Sequence, residues 1–129
     1  MNPRVASVSP HLISSSRRGE KVSLRDVYGK TLVELGEKNK DIVVLDADLS
    51  SSTKTSYFAE AFPNRFFNMG ISEADMMGTA AGLAAAGKIP FVSTFAIFAA
   101  GRAWETIRQS IAYPSLNVCL LYTSDAADE

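Results

Sequence analysis

One carboxylate, Glu73, stands at the start of a helix-forming run of small residues and is the strongest candidate for chemistry in this chain. Residues 68–87, NMGISEADMMGTAAGLAAAG, have the pattern of a strand end, a turn at Gly70 and a helix. Backbone amides and the helix dipole favour an acid at a helix N-terminus, so a capping role is the simplest interpretation of Glu73. A catalytic or cofactor-binding acid is the alternative.

Other residues with chemical potential lie on either side of this segment. Asp46 and Asp48 follow an apolar run, whereas Phe95 and Phe98 lie three residues apart at the predicted exit of a later strand. Two flat rings on one side of a cleft suit a flat heterocycle, although both rings could instead belong to the core. Asp48 alone would be interpreted as a turn or N-cap residue. The hydroxyl residues 50–53 are better explained by capping than by nucleophilic chemistry, because no histidine is available to activate them.

The elements that must position these residues alternate between helix and strand. Ser23 and Asp26 begin a helix predicted over about 23–39, and Ile42 to Leu45 is a wholly apolar run typical of a strand covered on both faces. The remaining pattern predicts a helix over 54–62, a strand over 66–69, a helix over 72–86, a strand over 90–95, a helix over 102–113 and a strand over 117–122. This alternation predicts an α/β fold with three layers and a mostly parallel sheet.

Parallel strands end at one edge of their sheet, and ligands of such folds bind at that edge. The segments 46–52, 70–73 and 95–101 all follow predicted strands. We therefore expect the acids and the aromatic pair to converge there.

The helix predicted over 102–113 carries Trp104, Ile107 and Ile111 at helical spacing, which predicts a buried face. Arg102 and Arg108 in the same segment are interpreted as surface charges, and neither is assigned to a phosphate.

Size and composition indicate an ordinary globular domain. The chain has 129 residues, of which 47% are hydrophobic and 21% charged, and its net charge of −1 offers no basic surface for nucleic acid. No apolar run approaches the roughly 20 residues of a membrane span. Cys119 is the single cysteine, so neither an internal disulfide nor a cysteine-based zinc site is expected. These features favour a soluble, cytoplasmic protein.

We expect the chain to divide into three regions. Residues 1–20 are rich in serine and contain the single histidine, His11, which predicts a disordered leader. Residues 21–118 form the predicted domain. The tail 119–129, CLLYTSDAADE, resembles translated sequencing-adapter sequence and is expected to be non-native. The domain would then be incomplete and marginal on its own, because one sheet edge would be left unpaired.

Three motifs, in order, resemble the transketolase group of thiamine-diphosphate enzymes, and in particular the domain that binds the aminopyrimidine ring of the cofactor. VVLDADLSSST is similar to the strand end of that family, MGISEADM to its glycine turn with a glutamate, and VSTFAIF to its Thr-Phe-x-x-Phe segment. The resemblance covers about 23–118 and is greatest to the separately encoded C-terminal section of a split transketolase. Deoxyxylulose-phosphate synthase and the beta subunits of 2-oxo-acid dehydrogenases share this plan and are alternatives, as is a non-catalytic α/β binding or scaffold module.

The resemblance implies an activity and a site. The activity is transfer of a two-carbon ketol unit between sugar phosphates, with Glu73 as the catalytic acid that hydrogen-bonds a pyrimidine ring nitrogen. For that role Glu73 must be shielded from water in a largely apolar pocket. Many family members carry a further aromatic residue three positions after Phe98, where this chain has Gly101. The cofactor-binding residues that the motifs imply are Asp48, Leu49, Ile71, Phe95 and Phe98.

The resemblance also implies a partner chain. The family holds Mg²⁺ and the cofactor's diphosphate with a Gly-Asp-Gly segment and a later Asn, and this chain contains no such segment. No metal ligand is therefore assigned here, and a diphosphate-binding N-terminal transketolase subunit would hold both groups. Gly78, Gly82 and Ala86 recur on one helix face that lies near the subunit contact in the family, which favours a homo- or hetero-oligomer. Packing of that face on its own sheet is the alternative.

Overall fold

The structure, a computed structural model, describes residues 22–123, and a four-stranded sheet forms its centre. The strands are β1 (Ile42–Asp46), β2 (Phe66–Asn68), β3 (Ile89–Phe95) and β4 (Cys119–Thr123). They lie in the order β2-β1-β3-β4, and every neighbouring pair is parallel. The sheet confirms the predicted α/β class.

Helices cover both faces of this sheet. They are α1 (Leu24–Lys38), α2 (Ser50–Thr53), α3 (Ser56–Ala61), α4 (Glu73–Ala85), α5 (Ala96–Arg102) and α6 (Trp104–Thr106), with a 3₁₀ turn at Pro63–Arg65 and a π-helical segment at Ile107–Ala112. α1 and α3 pack together on one face, whereas α4 and the π-helical segment pack together on the other. The predicted three-layer arrangement is therefore confirmed.

β1 shows why the sheet needs a helical layer on each side. All of its residues are buried, and successive side chains of a strand point to opposite faces. Ile42 and Val44 pack in a cluster with Leu32 of α1 and Phe58 of α3. Val43 and Leu45 belong to the opposite cluster, whose α4 members are Met76, Met77, Ala80 and Ala81.

The start of α1 follows the predicted capping pattern. Ser23 is the N-cap, and its hydroxyl accepts a hydrogen bond from the Asp26 amide at 3.4 Å. This bond satisfies one of the amides that a helix start leaves without a partner. The first described helix therefore begins where local sequence places it.

Two predicted helices differ in the structure. The helix predicted over 54–62 is found as α3, and a further short helix that was not predicted, α2, precedes it; Lys54 separates the two in the left-handed conformation with φ of 65°. The helix predicted over 102–113 begins much earlier, since α5 starts at Ala96 directly after β3. No helix was predicted over residues 96–101, although the alanines of this segment favour one.

The buried face predicted for residues 102–113 is only partly correct. Ile111 is buried, whereas Trp104 is 65% exposed. The chain changes from α6 to π-helical hydrogen bonding at Ile107, and this change alters the spacing at which side chains share a face. A pattern that assumes continuous α-helical periodicity therefore places Trp104 wrongly.

The structure describes only part of the two terminal regions predicted from the sequence. β4 extends from Cys119 to Thr123 and pairs with β3, from Phe91 opposite Cys119 to Phe95 opposite Thr123. The predicted leader 1–20 lies outside the described residues, as do 124–129, so the proposed boundaries of the domain stay predictions. Between residues 22 and 123, no helix has the length and apolar character that crossing a membrane requires.

Candidate active site

The carboxyl ends of β1, β2 and β3 lie at one edge of the sheet. The strand register aligns Asp46 of β1 with Asn68 of β2 and Ser93 of β3, and β3 continues to Phe95. Gly70 connects β2 to α4 with φ of 69°, a conformation that glycine adopts without strain. The segments 46–52, 70–73 and 95–101, which were expected to converge, therefore follow strands that end at this edge.

Glu73 is the first residue of α4, and it is only 3% exposed. Nη1 of Arg102 lies 3.1 Å from Oε1 and 3.4 Å from Oε2 of Glu73. A buried carboxylate without a partner would be strongly destabilising, so this bond stabilises the position of Glu73. The carboxylate is shielded from water, as its expected role requires, but its surroundings are less apolar than expected because they include a cation.

Arg102 also contacts the aromatic pair. Its guanidinium carbon lies 4.3 Å from the centroid of the Phe98 ring, a cation–π distance. The Phe98 ring in turn stacks on Phe95, with centroids 5.9 Å apart and ring planes inclined by 20°. The guanidinium therefore lies between an acid and a ring, donating to the first and packing on the second.

The interpretation of Arg102 as a simple surface charge was wrong. Its side chain is 50% exposed, yet it joins the two features that the sequence singled out, Glu73 and Phe98. Phe98 and Arg102 are four residues apart in α5, so they are neighbours on one helix face. This signal was hidden because the helix was predicted to begin at residue 102.

Asp46 ties the end of β1 to the following loop. It is fully buried, and its carboxylate accepts hydrogen bonds from the Leu49 amide at 2.6 Å and from the hydroxyls of Thr53 at 2.6 Å and Thr55 at 2.9 Å. Removal from water raises the pKa of Asp46, and these hydrogen bonds oppose the rise. The arrangement indicates a residue that positions a loop.

That loop carries two of the residues that the resemblance implies. Asp48 is exposed with φ of 62°, and Leu49 is half-buried at the start of α2. Oδ1 of Asn68, a residue that sequence reasoning did not single out, accepts from the amides of Asp48 at 3.1 Å and Gly70 at 3.0 Å. Asn68 therefore connects the loop after β1 to the turn before α4. Ile71 in that turn is 74% exposed and stays at the surface.

Two apolar hollows flank β4, away from Glu73. One has a volume of about 460 Å³ and is lined mainly by α1 and β4, with Tyr28 and Leu121 among its residues. The other has a volume of about 340 Å³ and lies between α5, α6 and β4, with Trp104 and Leu120 among its residues. Glu73 lines neither of these two hollows.

The parallel sheet carries the buried acid at the start of α4 and the aromatic pair at the end of β3 on the edge where ligands of such α/β folds bind. The chain belongs to the transketolase pyrimidine-binding domain family, whose model matches residues 20–128. Membership in this family implies dependence on thiamine diphosphate.

Individual relatives show which members of this family the chain resembles. A transketolase C-terminal section of Methanocaldococcus jannaschii is 59% identical over 100 residues, which are 78% of this chain and 32% of that protein. A 6-deoxy-6-sulfo-D-fructose transketolase subunit of Clostridium sp. is 45% identical over 95 residues, 74% of this chain and 30% of that protein. Among solved structures, a split gene transketolase in an inactive beta4 tetramer matches with a TM-score of 0.73 and 66% identity, covering 80% of this chain and 34% of that one. The chain thus spans about a third of each relative.

Proposed function

We propose that this chain is the pyrimidine-binding part of a thiamine-diphosphate-dependent transketolase, which transfers a two-carbon ketol unit between sugar phosphates. The observation that carries the proposal is the buried carboxylate of Glu73, which holds a flat, N–H-donating group against the Phe98 ring. An aminopyrimidine has the same two properties, a flat face and a ring nitrogen that can carry a proton. The residues present therefore fit this part of the cofactor.

Glu73 would act through a proton on the pyrimidine ring nitrogen. When bound, the cofactor would supply the nucleophilic carbon for the reaction. The Glu73 carboxylate accepts the hydrogen bond from the ring nitrogen, and sharing that proton is general acid–base catalysis. Because Glu73 is 3% exposed, water competes little for its oxygens. The neighbouring Phe95 and Phe98 rings orient the heterocycle and exclude water on one side.

We assign supporting roles to the loops around Glu73. The Asp46 hydrogen bonds hold the loop in which Asp48 and Leu49 would face the thiazolium ring, the acid through its charge and the leucine through packing. Ile71 lies in the turn before α4 and would contact the cofactor at the outer rim of the site, because it is largely exposed.

A partner chain would complete the site. Among residues 22–123, the His, Cys, Asp and Glu side chains form no group of three that could hold a metal ion. Because the chain also lacks the Gly-Asp-Gly segment, we infer that a diphosphate-binding subunit holds the metal and the diphosphate. The solved split gene relative is an inactive tetramer of beta chains, which supports a requirement for a second kind of chain.

Replacement of Glu73 by glutamine tests the catalytic role. The subunit that contains this chain is mixed with its diphosphate-binding partner, thiamine diphosphate and Mg²⁺, and deuterium exchange of the thiazolium ring hydrogen is followed by NMR. We expect Glu73→Gln to slow exchange by about 10²- to 10⁴-fold, because the amide cannot share a proton with the ring nitrogen.

Glu105→Gln is the matched control, since Glu105 is an exposed acid in α6. It should leave the exchange rate unchanged. If the two variants exchange deuterium at the same rate as the unmodified protein, Glu73 is not the catalytic acid. A loss of thermal stability in Glu73→Gln with normal exchange would indicate a non-catalytic α/β module in which Glu73 only stabilises the helix start.

A further inference from the structure

We propose that Arg102 is a counter-ion that pairs with Glu73 when the cofactor is absent and leaves the carboxylate when the aminopyrimidine binds. This inference rests on the proposed function, because it requires Glu73 to bind the pyrimidine. Arg102 would then lower the apparent affinity for the cofactor. In the absence of the cofactor, Arg102 would provide the buried Glu73 carboxylate with a hydrogen-bond donor.

The Arg102 guanidinium and the aminopyrimidine ring cannot bind to Glu73 and Phe98 at the same time. A single nitrogen of Arg102, Nη1, faces both oxygens of Glu73, at 3.1 Å and 3.4 Å. The same guanidinium packs against the Phe98 ring at 4.3 Å. An aminopyrimidine bound through a ring nitrogen and a ring face needs both of these contacts. The guanidinium and the aminopyrimidine therefore require the same space between Glu73 and Phe98.

The two partners of the ion pair differ in how easily they can leave it. Glu73 is 3% exposed and cannot turn to water, so it needs another hydrogen-bond donor if Arg102 departs. Arg102 is 50% exposed and is the last residue of α5, so its guanidinium can move into solvent, where water hydrates it. Arg102 is therefore the group that moves, and a protonated ring nitrogen supplies the replacement donor.

Binding of the free aminopyrimidine ring of the cofactor tests this proposal. This probe lacks the diphosphate, so it needs no metal, and its binding to the full chain can be measured by NMR titration. We expect Arg102→Gln to bind the probe about five-fold more tightly, because binding no longer requires an ion pair to break. Arg102→Lys keeps the charge but lacks the flat guanidinium, and it should show an intermediate affinity.

Arg108→Gln provides the matched control, because it removes the same charge from an exposed residue of the π-helical segment. Its affinity should equal that of the unmodified chain. Raising the salt concentration should tighten binding to the unmodified chain and to Arg108→Gln, because salt weakens the competing ion pair. Binding to Arg102→Gln should be independent of salt, and a merely structural role of Arg102 would not produce this difference.

The remaining outcomes separate this inference from the proposed function. If Arg102→Gln binds as tightly as Arg108→Gln, or more weakly, while Glu73→Gln loses the probe, the displacement of Arg102 is wrong and Glu73 still binds the pyrimidine. If Glu73→Gln binds the probe as well as the unmodified chain, the proposed function itself fails. Amide spectra of each variant establish that the fold is retained, and Arg102→Lys serves as the test if Arg102→Gln unfolds.

Discussion

Asp46 is a buried acid whose three acceptor contacts all serve one loop. The Leu49 amide and the hydroxyls of Thr53 and Thr55 would each lose a partner if the carboxylate were removed. A buried donor without a partner costs about 1–3 kcal/mol, more than the net gain from a typical hydrogen bond. The stability of the loop therefore depends on this one side chain.

Replacement of Asp46 measures that dependence. Asp46→Ala should lower the free energy of unfolding by about 2–4 kcal/mol, because three donors lose a charged acceptor, although the Thr53 hydroxyl still has the Leu49 carbonyl oxygen at 3.2 Å. Asp46→Asn should cost about 1 kcal/mol, since the amide oxygen still accepts from Leu49 and the threonine hydroxyls can reverse direction. Asp41→Ala is the control: it breaks the exposed ion pair with Lys88 and should cost less than about 1 kcal/mol. Urea denaturation compares the variants, and equal losses in Asp46→Ala and Asp41→Ala would contradict the role of the buried network.

The pH dependence of stability gives a second test of Asp46. Burial raises its pKa in the folded chain above the ordinary value of 3.8, so the folded chain binds this proton more tightly than the unfolded chain. The contribution to stability is complete below the ordinary pKa and is lost as the pH rises through the raised pKa. We expect the free energy of unfolding of the unmodified chain, relative to Asp46→Asn, to fall as the pH rises above the ordinary pKa of 3.8. A constant or rising difference would refute this assignment.

At the scale of elements, α1 and α4 use glycine differently. A Cβ atom at Gly29 of α1 would lie 2.6 Å from the backbone oxygen of Lys54 and 2.7 Å from the Tyr57 ring. A Cβ atom at Gly82 of α4 would meet nothing within 4 Å. α1 therefore needs its glycine so that the α2–α3 connection can approach closely, whereas α4 does not need Gly82 for any contact in the described chain.

Alanine substitutions should separate these two situations. Gly29→Ala should destabilise the chain by about 1–3 kcal/mol, because the nearest atom belongs to the backbone and cannot easily move. Gly82→Ala should stabilise it by about 0.5–1 kcal/mol, because alanine has the higher helix propensity and has room here. Chemical denaturation of both variants provides the comparison. A neutral or stabilising effect of Gly29→Ala would show that the packing around α1 is looser than described, and a destabilising effect of Gly82→Ala would show that α4 needs this glycine.

At the scale of the whole molecule, the small-residue face of α4 is open. Gly78, Gly82 and Ala86 are all exposed, and the nearest atom to a Cβ at Gly78 would be a Thr106 methyl at 3.9 Å. Packing of this face on the chain's own sheet, the alternative considered from sequence, is therefore not found in the described residues. The face is available to another chain, which agrees with the proposed oligomer.

A leucine at Gly82 tests whether this face takes part in association. Gly82→Leu should not lower the thermal stability of the chain, because the space around Gly82 is open and leucine is a better helix former than glycine, but it should weaken assembly with the partner or with a second copy at least ten-fold if backbones approach there. Sedimentation velocity measures the assembly. Glu34→Leu adds the same side chain at an exposed position of α1 and should assemble normally. Normal assembly of Gly82→Leu would place the interface elsewhere.

Local sequence patterns predicted most of the helices and strands of the fold. β1, β3 and α4 were predicted to within about a residue, because continuous apolar runs and helix-start signals are properties of neighbouring residues. The start of α5 was missed, because a glycine near a helix end and a loop cannot be distinguished by composition alone. That error also concealed Arg102, since its relation to Phe98 exists only when residues 96–102 form a helix.

Local sequence accounts for the alternation of strands and helices, the family motifs and the place of Glu73 at a helix start, because each depends on residues a few positions apart. The hydrogen-bond partner of the Glu73 carboxylate depends on the tertiary structure. Its partner Arg102 lies 29 residues away along the chain, and the contact depends on how α5 leaves the sheet beside α4. A charge that looks exposed in sequence can reach a buried acid, because side-chain pairing follows the spatial arrangement of elements and is invisible to local periodicity.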